Sequence, residues 1–176
     1  MPYTLPAIER LNLLSDSEQT ELLNNLFEPH ATIITYLKPL FESSYMSYPA
    51  FIDAAQARFL ELDPYSPLTK DIISSHPRLG LPRGTELSEH SSVEQKSLQG
   101  DETIKEFTTL NREYEQKYPG LKFVLFVNGR DRTEVKKFFK MRIERGDYEM
   151  EVKDAIQAMC DIAKDRVKKL QSQSKL

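Results

Sequence analysis

The stretch LKFVLFVNG, residues 121–129, decides the fold class. Its Phe and Val content is that of a β-strand. A strand needs a neighbour to take its backbone hydrogen bonds, and no second run of this composition stands elsewhere in the 176 residues. The stretch is therefore expected to be a buried extended segment near 121–128 and not part of a sheet. Nearly everything around it has helical periodicity. The expected fold is all-α, a single multihelical domain.

The periodicity on either side agrees. Ser15, with Glu18 three residues later, reads as a capping box opening a helix that stops before Pro29. A second helix is expected over roughly 31–43, with Pro39 kinking or dividing it. Ser47 and Pro49 open a third, and Ser66 and Pro67 a fourth that ends at His76. Residues 77–90, PRLGLPRGTELSEH, have the Pro and Gly content of a loop. A short helix from Ser91 to Gln99 and a long polar one after Gly100 and Asp101 lead to the 121–129 stretch. Asp131 with Glu134 repeats the capping-box pattern before a basic helix ending at Gly146, and Asp147 opens a last helix to about Leu170.

Composition excludes several classes. At 39% hydrophobic and 29% charged, the chain resembles an ordinary globular protein, long enough for one domain with a core. A net charge of −3 gives no global basic field, so nucleic acid is not an expected partner. One cysteine, Cys160, excludes an intramolecular disulfide framework and fits a reducing compartment. No apolar run reaches the length of a membrane span, and the first residues lack the form of a secretory signal. The last three, Ser174-Lys175-Leu176, form the SKL tripeptide read by the peroxisomal import receptor. The expected division is a helical domain over 1–173 and a targeting tripeptide at 174–176.

Three places could carry chemistry. In SSHPRLG, residues 74–80, the residue before a proline is pushed out of the helical region, so His76 is placed at a helix end. In the last helix, Val152, Ala155, Ile156, Met159, Ala163, Val167 and Leu170 fall in one apolar sector, and Arg166 falls inside it. A guanidinium aimed at the core needs either an internal carboxylate or an anionic ligand. In SSVEQKSLQ, residues 91–99, the positions Ser91, Glu94, Gln95 and Leu98 share one helix face. Ser-x-x-Glu is also a capping box, which leaves Gln95 unexplained. The basic helix RTEVKKFFKMRIERG, 132–146, reads as a solvated face with Phe138, Phe139 and Ile143 turned inward. His30, His76 and His90 have no metal-ligand spacing.

Taken in order, HPRLG at 76–80, Ser91-x-x-Glu94-Gln95, LNREYEQKYPGLKFVLFV at 110–127 and IAKDRVKKL at 162–170 resemble the OHCU decarboxylases. These enzymes act on 2-oxo-4-hydroxy-4-carboxy-5-ureidoimidazoline in urate degradation. The resemblance runs from AIERLNLLSDSEQTELLNNLFE at 7–28 to the last helix, and departs from the pattern at Arg78 and Pro119. It implies an all-α, usually dimeric enzyme that needs no cofactor and forms (S)-allantoin with loss of CO2. It further implies that His76 is the catalytic acid or base, with Glu94 beside it. Pro77, Ser91 and Gln95 then contact the substrate. The backbone at Phe123, Val124, Leu125, Phe126 and Val127 reads its ureido and ring amides, and Arg166 binds its negative charge. A non-catalytic helical interaction module in the peroxisome is the reading from a different class, and an enzyme for another ureido acid is a third.

Overall fold

A computed structural model describes residues 3–80 and 89–174, with Glu89 and Ser174 described in backbone only. Among the described residues eight α-helices follow in chain order: α1 Asp16–Leu26, α2 Ala31–Leu37, α3 Tyr48–Leu60, α4 Pro67–Ser74, α5 Glu89–Glu94, α6 Asp101–Lys117, α7 Arg132–Arg145 and α8 Tyr148–Ser174. Short 3-10 helices cover Ile8–Leu13, Lys38–Glu42 and Lys96–Leu98. Among the described residues none is in a strand, so the fold is all-α. The chain groups into two compact units, Met1–Asp63 with Ile156–Leu176, and Pro64–Ala155.

The first unit shows how local signals set the helices. Ser15 Oγ accepts from Glu18 N at 3.2 Å while Glu18 Oε1 accepts from Ser15 N at 3.0 Å, a complete capping box. Pro39 has no N–H to continue α2, and the chain tightens there into the 3-10 turn Lys38–Glu42. Ser47 Oγ caps α3 through Ala50 N at 3.2 Å. Leu22, Leu23, Leu26, Ile33, Leu37, Phe51, Ile52 and Phe59 are buried in this unit. So are Ile156, Met159, Ala163, Val167 and Leu170, the part of the last helix's apolar sector that falls in this unit; Val152 and Ala155, in the second unit, are buried too. Cys160 is also buried, and burial pushes its thiol up to about 12, so it stays protonated.

In the second unit α6 packs on α7, with Phe107 and Tyr114 of α6 meeting Phe139 of α7 at 5.8 and 6.2 Å between ring centroids. Phe123 stacks on Phe139 at 3.8 Å between centroids, and Tyr114 meets Phe123 edge-on at 5.4 Å. Residues 121–127 are neither helix nor strand. Leu121, Phe123, Val124 and Val127 are buried, and Lys122, Leu125 and Phe126 half-buried. On α7, Phe139 is buried as read, but Phe138 and Ile143 are only half-buried and the third buried position is Arg142.

Two expectations are corrected. The last helix runs on through Ser174, four residues past Leu170. Its polar tail lies on a continuous helix, whose backbone bonds are made internally whatever the side chains. The helix after the 77–90 loop opens at Glu89 and gives way at Gln95 to a 3-10 turn. Ser91 is therefore its third residue and not its cap, so Ser91-x-x-Glu94 is not a capping box. Residues 81–88 of the loop, and Lys175 and Leu176 of the proposed tripeptide, lie outside the described residues.

Candidate active site

The segment His76–Gly80 sits in the second unit, just past the end of α4. Ser66 Oγ starts that helix by accepting from Thr69 N at 3.2 Å, with Pro67 in the first turn. The helix stops at Ser74, two residues before His76, as a residue preceding proline requires. His76 is 5% exposed, and its N–H still reaches Ile73 O at 3.3 Å. At the other end of the segment Gly80 has φ +67°. A Cβ there would lie 2.7 Å from Phe107 Cβ, so both the backbone angle and the close approach to α6 call for glycine.

Side chains from two other elements hold the backbone between these ends. Gln95 Nε2 donates to Arg78 O at 3.1 Å, and Gln95 Oε1 accepts from Gly80 N at 3.1 Å. Asn111 Nδ2 donates to Leu79 O at 3.0 Å. The Arg78 guanidinium makes a two-pronged pair with Glu115 at 2.7 and 2.8 Å. That pair is partly exposed and contributes only about 0.2–1 kcal/mol, whereas the buried amide bonds also spare backbone groups the cost of going unpaired, about 1–3 kcal/mol each. Lys122 Nζ donates to Ser74 O at 2.9 Å, which ties the start of the 121–127 segment to the end of α4. Burial, and then the charge of Arg78, push the Lys122 amine below its ordinary range.

The 121–127 segment has a support of its own. Arg142 Nη1 donates to Val124 O at 2.8 Å, and its guanidinium lies 4.5 Å over the Phe123 ring. Arg130 Nη1 donates to Phe126 O at 2.8 Å. Arg142 Nε donates to Glu151 Oε1 at 2.9 Å. Tyr114 Oη donates to the same oxygen at 2.7 Å, and Arg145 reaches Oε2 at 2.5 Å. Glu151 is 0% exposed, so three donors replace its lost water. Burial, and then the Glu151 charge, raise the Tyr114 hydroxyl well above its ordinary range, which keeps it a donor. Of the backbone carbonyls expected to read a substrate, Val124 O, Phe126 O and Val127 O, the last from Arg130 N at 3.0 Å, each already accept one hydrogen bond, leaving each one further lone pair.

The sequence left open whether Arg166 meets a carboxylate or a ligand. In the first unit it meets a carboxylate. Arg166 is 1% exposed, and its Nη2 donates to Glu28 Oε1 at 3.0 Å. Its Nη1 donates to Leu26 O and Phe27 O at 3.2 and 3.0 Å, the carbonyl end of α1, where a cation is favoured.

Of the residues singled out beforehand, His76, Pro77, Ser91, Glu94, Gln95 and Phe123–Val127 all belong to the second unit, and Arg166 to the first. His76, Ser91 and Gln95 are buried, and Pro77 and Glu94 half-buried. The sequence reading missed Asn111, Arg142 and Glu151. Their signal was the one used for Arg166, a polar residue on the buried stripe of its helix: Asn111 lies among Thr103, Phe107, Leu110 and Tyr114. Among the described residues no group of three or more His, Cys, Asp or Glu is placed to hold a metal ion. None of their helices is long and apolar enough to cross a membrane.

No curated protein matches the chain closely enough to count as a relative. A family model described as OHCU decarboxylase matches residues 12–168, most of the chain and both units. With its two carrying motifs joined by the Gln95 amide, the chain belongs to the OHCU decarboxylase family, carboxy-lyases of urate degradation.

Proposed function

We propose that this chain converts OHCU to (S)-allantoin and CO2 without a cofactor. The observation that carries the reading is the Gln95 amide on the backbone of Arg78 and Gly80. It makes neighbours of the pre-proline histidine segment and the polar Ser91–Gln95 turn, which the sequence separates by a loop. Such a site offers an imidazole, a carboxylate and a hydroxyl within one unit.

The chemistry follows from those groups. Breaking the bond to the carboxylate leaves an electron pair on the ring carbon and its neighbouring unsaturated atoms. Buried, fixed donors stabilise that charge better than water, which must reorganise. His76 exchanges a proton with the substrate near neutral pH. Delivery of a proton to one face by His76 or Glu94 then sets the (S) configuration. Pro77, Ser91 and Gln95 contact the substrate. Gln95 retains one amide hydrogen for it after serving the loop. The backbone of 123–127 reads the ureido and ring amides.

Arg166 binds the anionic end of the substrate in this reading, and an incoming carboxylate shares its fork with Glu28. Arg166→Ala is expected to raise KM for OHCU by about tenfold or more, the weight of one charge-assisted pair. Arg166→Lys, which keeps the charge and loses the fork, should fall between. An unchanged KM in folded Arg166→Ala protein would leave Arg166 as the partner of Glu28 alone.

We further propose that the chain is a homodimer, and that its Ser174-Lys175-Leu176 tail addresses it to the peroxisome. A fluorescent protein fused ahead of the full chain should enter peroxisomes and lose them when residues 174–176 are removed. Unchanged import, or a solution mass near 20.4 kDa instead of twice that, would refute the corresponding part.

A further inference from the structure

One stripe of α6 reads the catalytic segment residue by residue. Phe107, Asn111 and Glu115 stand four apart on one helix face. They meet three consecutive residues in reverse order. Phe107 lies against Gly80, Asn111 bonds Leu79 O, and Glu115 pairs with Arg78. Past the helix end, Lys122 continues the order by bonding Ser74 O. The segment thus runs antiparallel along α6 in a fixed register.

Asn111 is the buried member of that stripe that acts by hydrogen bond. It is 5% exposed, and its Nδ2 is on Leu79 O. Its Oδ1 is buried with no hydrogen-bond partner among the described residues. In stability the half-satisfied amide gains little, since a leucine of the same shape would carry no unpaired acceptor and would strand only Leu79 O. What the amide supplies and leucine lacks is a donor on the backbone three residues after His76.

We infer that Asn111 is a positioning residue for the decarboxylation. With Gln95 holding Arg78 O and Gly80 N, it fixes residues 78–80 and through Pro77 aims the His76 ring. Asn111 does not touch the substrate. The inference rests on the decarboxylase reading, and a shift of the ring by an ångström is enough to cost about 10²-fold in rate.

The test compares four full-length proteins on OHCU: the parent, Asn111→Leu, Asn111→Asp and Arg112→Ala. Arg112, the next residue on α6, is exposed and serves as the control. Asn111→Asp keeps the shape and loses the donor, and it carries the test if the leucine variant does not fold. The expected result is a kcat lowered about 10- to 100-fold with KM within about threefold, in protein that keeps the parent's circular dichroism and loses only the few degrees of Tm that one unpaired carbonyl costs. The kcat–pH profile should also move, because a displaced imidazole no longer titrates in the same surroundings. A purely structural Asn111 would lower Tm and leave kcat of the folded fraction, and its pH profile, unchanged. That outcome, with the parent active, overturns the inference alone. A parent without activity on OHCU overturns the functional reading and this inference with it.

Discussion

His76→Ala is expected to lower kcat for OHCU by about 10²–10⁴-fold, the range that one general acid or base contributes. The fold should survive, because the segment has holders other than the imidazole. His76 lies beyond α4, and the backbone of 78–80 is held by Gln95 and Asn111 instead. KM should change little, since the negative end of the substrate is assigned to Arg166. His76→Asn, which keeps a polar side chain of similar reach but cannot titrate, should be nearly as inactive. Initial rates at saturating OHCU decide the matter. Full turnover by His76→Ala would remove the histidine from the chemistry.

Arg142→Ala is expected to cost about 3 kcal/mol, the low end for breaking a buried ion pair by removing one partner, because Arg145 keeps Glu151 paired. Arg142 is 4% exposed, and Glu151 would be left 0% exposed with Tyr114 and Arg145 but without its more deeply buried cation. The Val124 carbonyl would lose its donor at the same time. Against a total stability of about 5–15 kcal/mol for a domain, this is a large fraction. Urea unfolding followed by circular dichroism measures it. The paired change Arg142→Met with Glu151→Leu should recover much of the loss, because no buried charge is then stranded. A loss below about 1 kcal/mol for Arg142→Ala would mean that water reaches Glu151 in solution.

What the sequence disclosed and what it hid divide along a physical line. Helix starts were legible because their signals are local. Ser15, Ser47, Ser66 and Asp131 each accept from a backbone N–H three residues on, so the pattern and the contact coincide. Pro39 divides its helix through its own missing N–H. Ser91 marks the limit of such local signals. Its pattern fits a cap, but a helix opening two residues earlier turns the cap into an interior position.

Partners far along the chain were not legible. The wheel put Arg166 in the core but could not name Glu28, 138 positions away. Nothing local joins Leu79 to Asn111 across 32 positions, or Val124 to Arg142 across 18. The resemblance supplied His76, Glu94 and the 123–127 segment as candidates, and the geometry adds why the first motif keeps its shape. Gly80 fits only without a Cβ, and each backbone group of 78–80 named above has a buried side chain waiting for it.

The most direct test mixes the full-length protein with freshly generated OHCU and follows the circular dichroism of the product. The account predicts fast appearance of one enantiomer, (S)-allantoin, well ahead of spontaneous decay. Slow formation of racemic allantoin at the rate of the buffer alone would contradict it.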